Sequence, residues 1–266
     1  MTTSPVRRIL TRLPFVGRIA SALHAWDPIL PAPIESQYHG AGVHVFDPEI
    51  PTRILDRVRR DMDAYAARHD AENSSAPWLN GWRESRAIRS VALSPKVHRM
   101  LRQLYGRQTF AFQTMNHRVG TELPLHRDSV HWATDPPGFM CGVWIALEDM
   151  DESNGTLVYY PYSHKLPAVR TEDFSPETGV KYYPRYEQLI QSMIDRSGLR
   201  PEYAVVRKGM AVLWASDLIH GGMPRVDRTR TRCSQVTHYS FAGCQYYFPL
   251  ESRGAHRHLM KPAPVR

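Results

Sequence analysis

The hydrophobic period of this chain changes at Thr109, and that change limits the folds open to it. Before this point apolar residues recur at helical spacing. Ile54, Leu55, Val58, Met62 and Tyr65 share one face of a helix, with charges between them. A second helix carries its own boundary signals. Ser94 is its N-cap, Pro95 its first position and Gly106 its end, with Val97, Met100, Leu101 and Leu104 as the apolar face. After Thr109 the apolar runs are short and bounded by turns. Strands are predicted over residues 109–118, 139–147, 156–160, 209–215 and 233–241, with one more helix over 185–197 ending at Gly198. Asn154-Gly155 is a hairpin signal, so 156–160 is expected to return as the partner strand of 139–147. Two helices followed by many short strands predict a mainly β fold: a jelly roll with flanking helices on one side.

Composition bounds what such a fold does. At 266 residues the chain suits one domain over residues 51–250, preceded by an arm and Pro-rich linker (1–50) and followed by a basic tail (251–266). No apolar run reaches 18 residues, so no transmembrane helix is expected. Three cysteines without a framework spacing fit a reducing cytoplasm. The net charge of +8 is scattered and no nucleic-acid motif accompanies it, so nucleic acid is not an expected partner. Near the N-terminus Arg7, Arg8, Arg12 and Arg18 alternate with Ile9, Leu10, Leu13, Phe15 and Ile19. Residues 6–25 could meet an anionic membrane surface weakly, although Pro14 and Gly17 interrupt the pattern and a helical arm on the domain suits it better. Oligomeric state is not legible from any of this.

The chemistry gathers around His126-Arg127-Asp128 and His220, 94 positions later. A histidine and a carboxylate two apart on a strand project from the same face. A third ligand from a distant strand completes one face of an octahedron. Two imidazoles and a carboxylate suit Fe(II) and leave positions open for O2 and a chelating cosubstrate. Among 13 histidines an isolated His-x-Asp pair is more often a surface hydrogen bond, so the rest of the pattern decides. Arg232 follows His220 by 12 residues and enters the next strand; an arginine buried near a metal would hold a carboxylate through paired hydrogen bonds.

Further runs complete that pattern: Gly142-Val143-Trp144-Ile145-Ala146-Leu147-Glu148-Asp149, Asn154-Gly155-Thr156-Leu157 and Pro161-Tyr162-Ser163-His164-Lys165. With the His-x-Asp pair, the distal His-Gly and the following arginine, they resemble the phytanoyl-CoA dioxygenase family of Fe(II)- and 2-oxoglutarate-dependent oxygenases, over about residues 90–245. The resemblance implies a double-stranded β-helix core (jelly roll, cupin-like). It implies His126, Asp128 and His220 as iron ligands and Arg232 as the grip on the far carboxylate of 2-oxoglutarate. Trp144 matches a family tryptophan beside the cosubstrate, and Gln113 a glutamine that hydrogen-bonds it, with Asn116 as the alternative on that strand. Two positions depart from the family. Tyr162 replaces a glycine, and Gly222 replaces a serine that assists the arginine; Thr114 or another hydroxyl is expected to compensate.

The implied activity is oxidative decarboxylation of 2-oxoglutarate to succinate and CO2, coupled to hydroxylation of a small molecule. A secondary metabolite, a modified amino acid or a sugar-containing intermediate is the expected substrate class. Desaturation, epimerisation or ring formation use the same centre. Asp128 argues against halogenation, which needs that ligand position for halide. Ser129, His131 and Trp132 are expected to line the substrate pocket, and the loop around 171–186, with Tyr182 and Tyr183, to form a lid. Two other classes compete: a non-catalytic jelly-roll protein that keeps a metal, and an interaction protein attached through its basic N-terminus.

Overall fold

The computed structural model describes residues 32–69, 74–175 and 183–266; the basic stretch 6–25 and Tyr182 lie outside them. The chain enters through α1 (Ala32–Ala41) and β1 (Val43–Phe46), then α2 (Thr52–Arg68), β2 (Trp78–Leu79), α3 (Arg86–Ala92) and α4 (Pro95–Tyr105). The expected signals bound α4. Ser94 Oγ accepts from the Val97 amide, and Gly106 takes the left-handed conformation (φ 63°) that ends the helix. Strands follow: β3 (Thr109–His117), β4 (Ala133–Asp135), β5 (Met140–Ala146) and β6 (Leu157–Tyr159). After α5 (Thr171–Phe174) and α6 (Tyr183–Ser197) come β7 (Glu202–Tyr203), β8 (Ala211–Ala215), β9 (His220–Gly222), β10 (Ser234–Phe241), β11 (Gln245–Tyr247) and β12 (Leu259–Met260).

The main sheet runs β1-β8-β5-β10-β3-β2, all antiparallel. A smaller sheet, β7-β6-β9, faces it, and β12-β11-β4 forms a third. Alternation along β5 explains both faces. Cys141, Val143 and Ile145 pack with Val58, Ile88 and Leu101 of the helices. Trp144 and Ala146 point the other way and pack with Leu157 and Tyr159 of β6. Each fully buried aliphatic side chain contributes about 1.5–3 kcal/mol by leaving water. The fold is therefore the expected antiparallel jelly roll with helices on one face.

Three expectations are corrected. Strand β6 does not pair with β5: its neighbours are β7 and β9. The Asn154-Gly155 turn instead carries the chain from one sheet to the other. The Asn154 amide donates to the Asp149 and Thr231 carbonyls, and Gly155 (φ 77°) sits against the backbone of Met223. The stretch before residue 51 is not all linker, because β1 pairs with β8 along its length. The stretch 251–266 is tied in as well: β12 pairs with β11, and buried Val265 donates its amide to the Ala111 carbonyl.

Candidate metal centre

The two histidines are pinned by backbone pairing. His126 and His220 exchange N–H···O bonds of 2.9 and 3.0 Å, an antiparallel bridge that sets their rings side by side. Arg127 between the ligands is extended (φ −115°, ψ 138°), which returns Asp128 to the His126 side before a short 3₁₀ turn begins. The spacing argument thus holds, although Asp128 lies at the start of a turn and not within a strand. Asp128 Oδ1 is 3.7 Å from Nε2 of each histidine. All three ligand atoms lie within 4.8 Å of one another.

Each ring is oriented by a carbonyl two residues upstream. His126 Nδ1 is 2.9 Å from Pro124 O, and His220 Nδ1 is 2.9 Å from Leu218 O. A carbonyl only accepts, so each Nδ1 carries a proton, which leaves each Nε2 as the ring nitrogen beside Asp128. Burial, then the neighbouring His220, lower the His126 pKa to about 4, so the ring is neutral as a metal ligand requires. For Asp128 burial alone would raise the pKa, but His220, His238 and His126 outweigh it and hold the carboxylate ionised. Its second oxygen is already held. Trp214 Nε1 donates to Oδ2 at 2.7 Å, and His238 Nε2 lies 3.4 Å away. The indole reaches that far because its cross-strand partner is Gly142. A Cβ there would sit 2.4–2.7 Å from three indole atoms.

Arg127 points away from the centre and builds its support. Its guanidinium donates to the carbonyls of Pro167 (2.9 Å) and Ser163 (3.0 Å), and its amide donates to Tyr186 Oη at 2.8 Å. Ser163 Oγ in turn accepts from the Ile219 amide, beside His220. The Pro161–Lys165 run therefore braces both ligand segments. Tyr162, the departure from glycine, sits at φ 70° with its ring exposed.

A cavity of about 370 Å³ opens from the three ligands to Arg232. Arg232 is buried, and burial lowers its pKa to about 10, still fully protonated near neutrality. Nη1 donates to Ser234 Oγ at 2.8 Å, while Nε has no hydrogen-bond partner among the described residues. Trp144 Nε1 and His117 Nδ1 also line the cavity without partners among the described residues. Burial, then Arg232, lower the His117 pKa to about 3. A guanidinium and an indole N–H left over in one buried cavity fit an anionic, multidentate guest such as a dicarboxylate. The hydroxyl beside Arg232 is Ser234. At Gly222 a Cβ would be crowded, 2.9 Å from Thr121 Oγ1 and 3.0 Å from the Leu123 amide nitrogen, so the family serine would require its neighbours to shift.

The other expected site residues divide. Gln113, His131 and Trp132 line the cavity. Gln113 Oε1 is 2.9 Å from His238 Nδ1, so part of that amide serves the histidine beside Asp128. Asn116 and Thr114 do not face the cavity. Asn116 hydrogen-bonds Gln235 on the helix side, and Thr114 pairs with Thr237 on that same face. A bulge at Phe112, opposite His238 and Tyr239, reverses the alternation and brings Gln113 inward. Ser129 is also outside; its hydroxyl donates to Asp217 at 2.6 Å. Tyr183, from the expected lid, reaches His131 Nδ1 at 3.3 Å. Trp214 and Ser234 were missed. A glycine inside the strand 139–147 was the available signal for Trp214, and nothing marked Ser234 apart from its place two residues after Arg232.

A jelly roll that holds two imidazoles and one carboxylate beside a cavity has the donor set of a mononuclear non-haem ferrous centre. The sequence profile of phytanoyl-CoA dioxygenase (PhyH) matches residues 39–231, and the chain belongs to that family. The phytanoyl-CoA dioxygenase domain-containing protein 1 of Danio rerio is 29% identical over 144 residues, covering 50% of this chain and 46% of that protein. The chain thus spans under half the length of that relative. The fold is shared with the non-haem alpha-ketoglutarate-dependent carbocyclase SnoK of nogalamycin biosynthesis, at a TM-score of 0.65 and 16% identity over 87% of this chain and 97% of that one. It is shared equally with EctD of S. alaskensis, solved with 2-oxoglutarate and 5-hydroxyectoine, at 0.65 and 15% over 90% and 88%.

Proposed function

We propose that this protein is an Fe(II)- and 2-oxoglutarate-dependent dioxygenase that hydroxylates a small molecule. The observation that carries the reading is the pairing of a three-ligand face with an under-partnered buried arginine across one cavity. His126, Asp128 and His220 would hold the ion, with Asp128 using Oδ1 because Oδ2 is engaged. Arg232 and Ser234 would grip the far carboxylate, and Trp144 Nε1 would donate to the cosubstrate. A ferrous ion bound there, with O2 and 2-oxoglutarate, supplies the oxidising power for breaking a C–H bond, releasing succinate and CO2.

The residues around the ion orient and exclude. The carbonyl bonds of both histidines orient their rings so that each Nε2 lies beside Asp128 Oδ1, where the two rings and the carboxylate would hold the ion. Trp132, Trp144 and Leu157 keep water from the reacting carbon, and His131 offers a polar contact on the substrate side. Hydroxylation is the simplest outcome of such a site. The carbocyclase fold relative shows that the same scaffold also serves ring formation in another protein. Conversion of 2-oxoglutarate to succinate under O2, without added substrate, is the test. Wild type with Fe(II) is expected to release succinate slowly, and Asp128→Ala none. Equal release by the variant removes the proposed centre.

A further inference from the structure

We infer that the substrate is a neutral, largely apolar ring compound, larger than the cavity it enters. This rests on the ion and cosubstrate sites given above. Arg232 and Asp128 are the only Arg, Lys, Asp or Glu side chains lining the cavity among the described residues. A divalent ion and Arg232 bring three positive charges; Asp128 and a dicarboxylate bring three negative ones. The loaded site is therefore electroneutral, and a charged substrate group would enter it without a counter-charge, which is costly in a desolvated pocket.

The wall beside the centre is built from rings. Trp132 lies 5.9 Å from Phe112, 5.2 Å from His238 and 5.5 Å from His131, between centroids. His131 continues the row to Tyr183 at 5.9 Å. Flat π faces and edges at these spacings suit offset or edge contact with a further ring. At the mouth, Leu79 and Leu123 line the cavity yet remain 53% and 47% exposed. A cavity of about 370 Å³ must also hold the cosubstrate. A ring system reaching past the mouth would cover both leucines. A coenzyme A thioester does not fit this description, because among the described residues no lining cation remains for its phosphates.

The protein is loaded with Zn(II) and 2-oxoglutarate, and binding of 2-naphthol, 2-naphthoate, 2-naphthylmethylammonium and 2-naphthoyl-CoA is measured by calorimetry. The neutral probe is expected to bind roughly tenfold tighter than each charged one. Leu79→Lys and Leu123→Lys, on exposed positions, are expected to weaken 2-naphthol and to shift preference toward 2-naphthoate. A charged probe matching 2-naphthol, or no probe binding while 2-oxoglutarate binds, overturns the inference alone. Failure of Zn(II) or 2-oxoglutarate itself to bind overturns the reading beneath it.

Discussion

Two buried arginines stand on opposite sides of the ligand segments, and their surroundings differ in kind. Arg127 gives its terminal nitrogens to backbone carbonyls of the 163–167 segment and keeps only Nε without a partner among the described residues. Arg232 has one hydroxyl, Ser234, and faces a cavity. Both pay desolvation, and burial is the leading cause of the lowered pKa at each. The partners tell them apart. A guanidinium whose terminal nitrogens meet backbone carbonyls is held as scaffold; one with a single hydroxyl partner beside a cavity is the one that the proposed function pairs with an anion.

The comparison can be broken most directly at Arg232. Arg232→Ala should weaken 2-oxoglutarate binding by about 2–5 kcal/mol in calorimetry, while the melting temperature holds or rises because a buried charge is removed. A large loss of stability with unchanged affinity would make Arg232 a scaffold residue like Arg127. Arg127→Met should do the reverse. It should lower the unfolding free energy by about 3 kcal/mol, through carbonyls left without donors, and denaturant melts would show this. Stability near wild type would mean that water replaces the guanidinium at little cost.

Smaller effects sharpen the contrast on the metal side. Trp214→Phe should weaken Co(II) or Zn(II) affinity by about 10–100-fold, since Asp128 Oδ2 loses its indole donor. An unchanged affinity would leave His238 as sufficient support. The smallest effect belongs to the brace of Arg127. Tyr162→Gly should raise stability by about 0.5 kcal/mol, because relief of a left-handed side chain slightly exceeds the added chain entropy of glycine. Thermal melts that fall instead would assign the Tyr162 ring a packing role.

Much of this was legible before any tertiary structure. Local chemistry explains why. The Ser94, Pro95 and Gly106 signals act within one turn of helix and bound α4 as expected. The His126-x-Asp128 pair needs only one extended residue between its members. The hairpin at Asn154-Gly155 misled because a turn signal states that the chain reverses and not which strand receives it. Here β9 and β7 took β6, and β5 paired with β8 and β10. Asn116 and Thr114 misled for a related reason: alternation is readable only when its phase is known, and a single extra residue at Phe112 resets it.

By itself the sequence determined α2, α4 and α6, the segments of β3, β5, β6, β8 and β10, and the spacing of His126, Asp128, His220 and Arg232. These depend on spacing along the chain, which contacts between neighbouring residues enforce. Tertiary structure alone decided which strands pair, which residues of β3 face the cavity, and which hydroxyl supports Arg232. It also decided that Trp214, lying across Gly142, holds one oxygen of Asp128 and leaves the other for an ion. Those outcomes depend on segments far apart in sequence arriving at one place, and no local pattern encodes the register of their meeting.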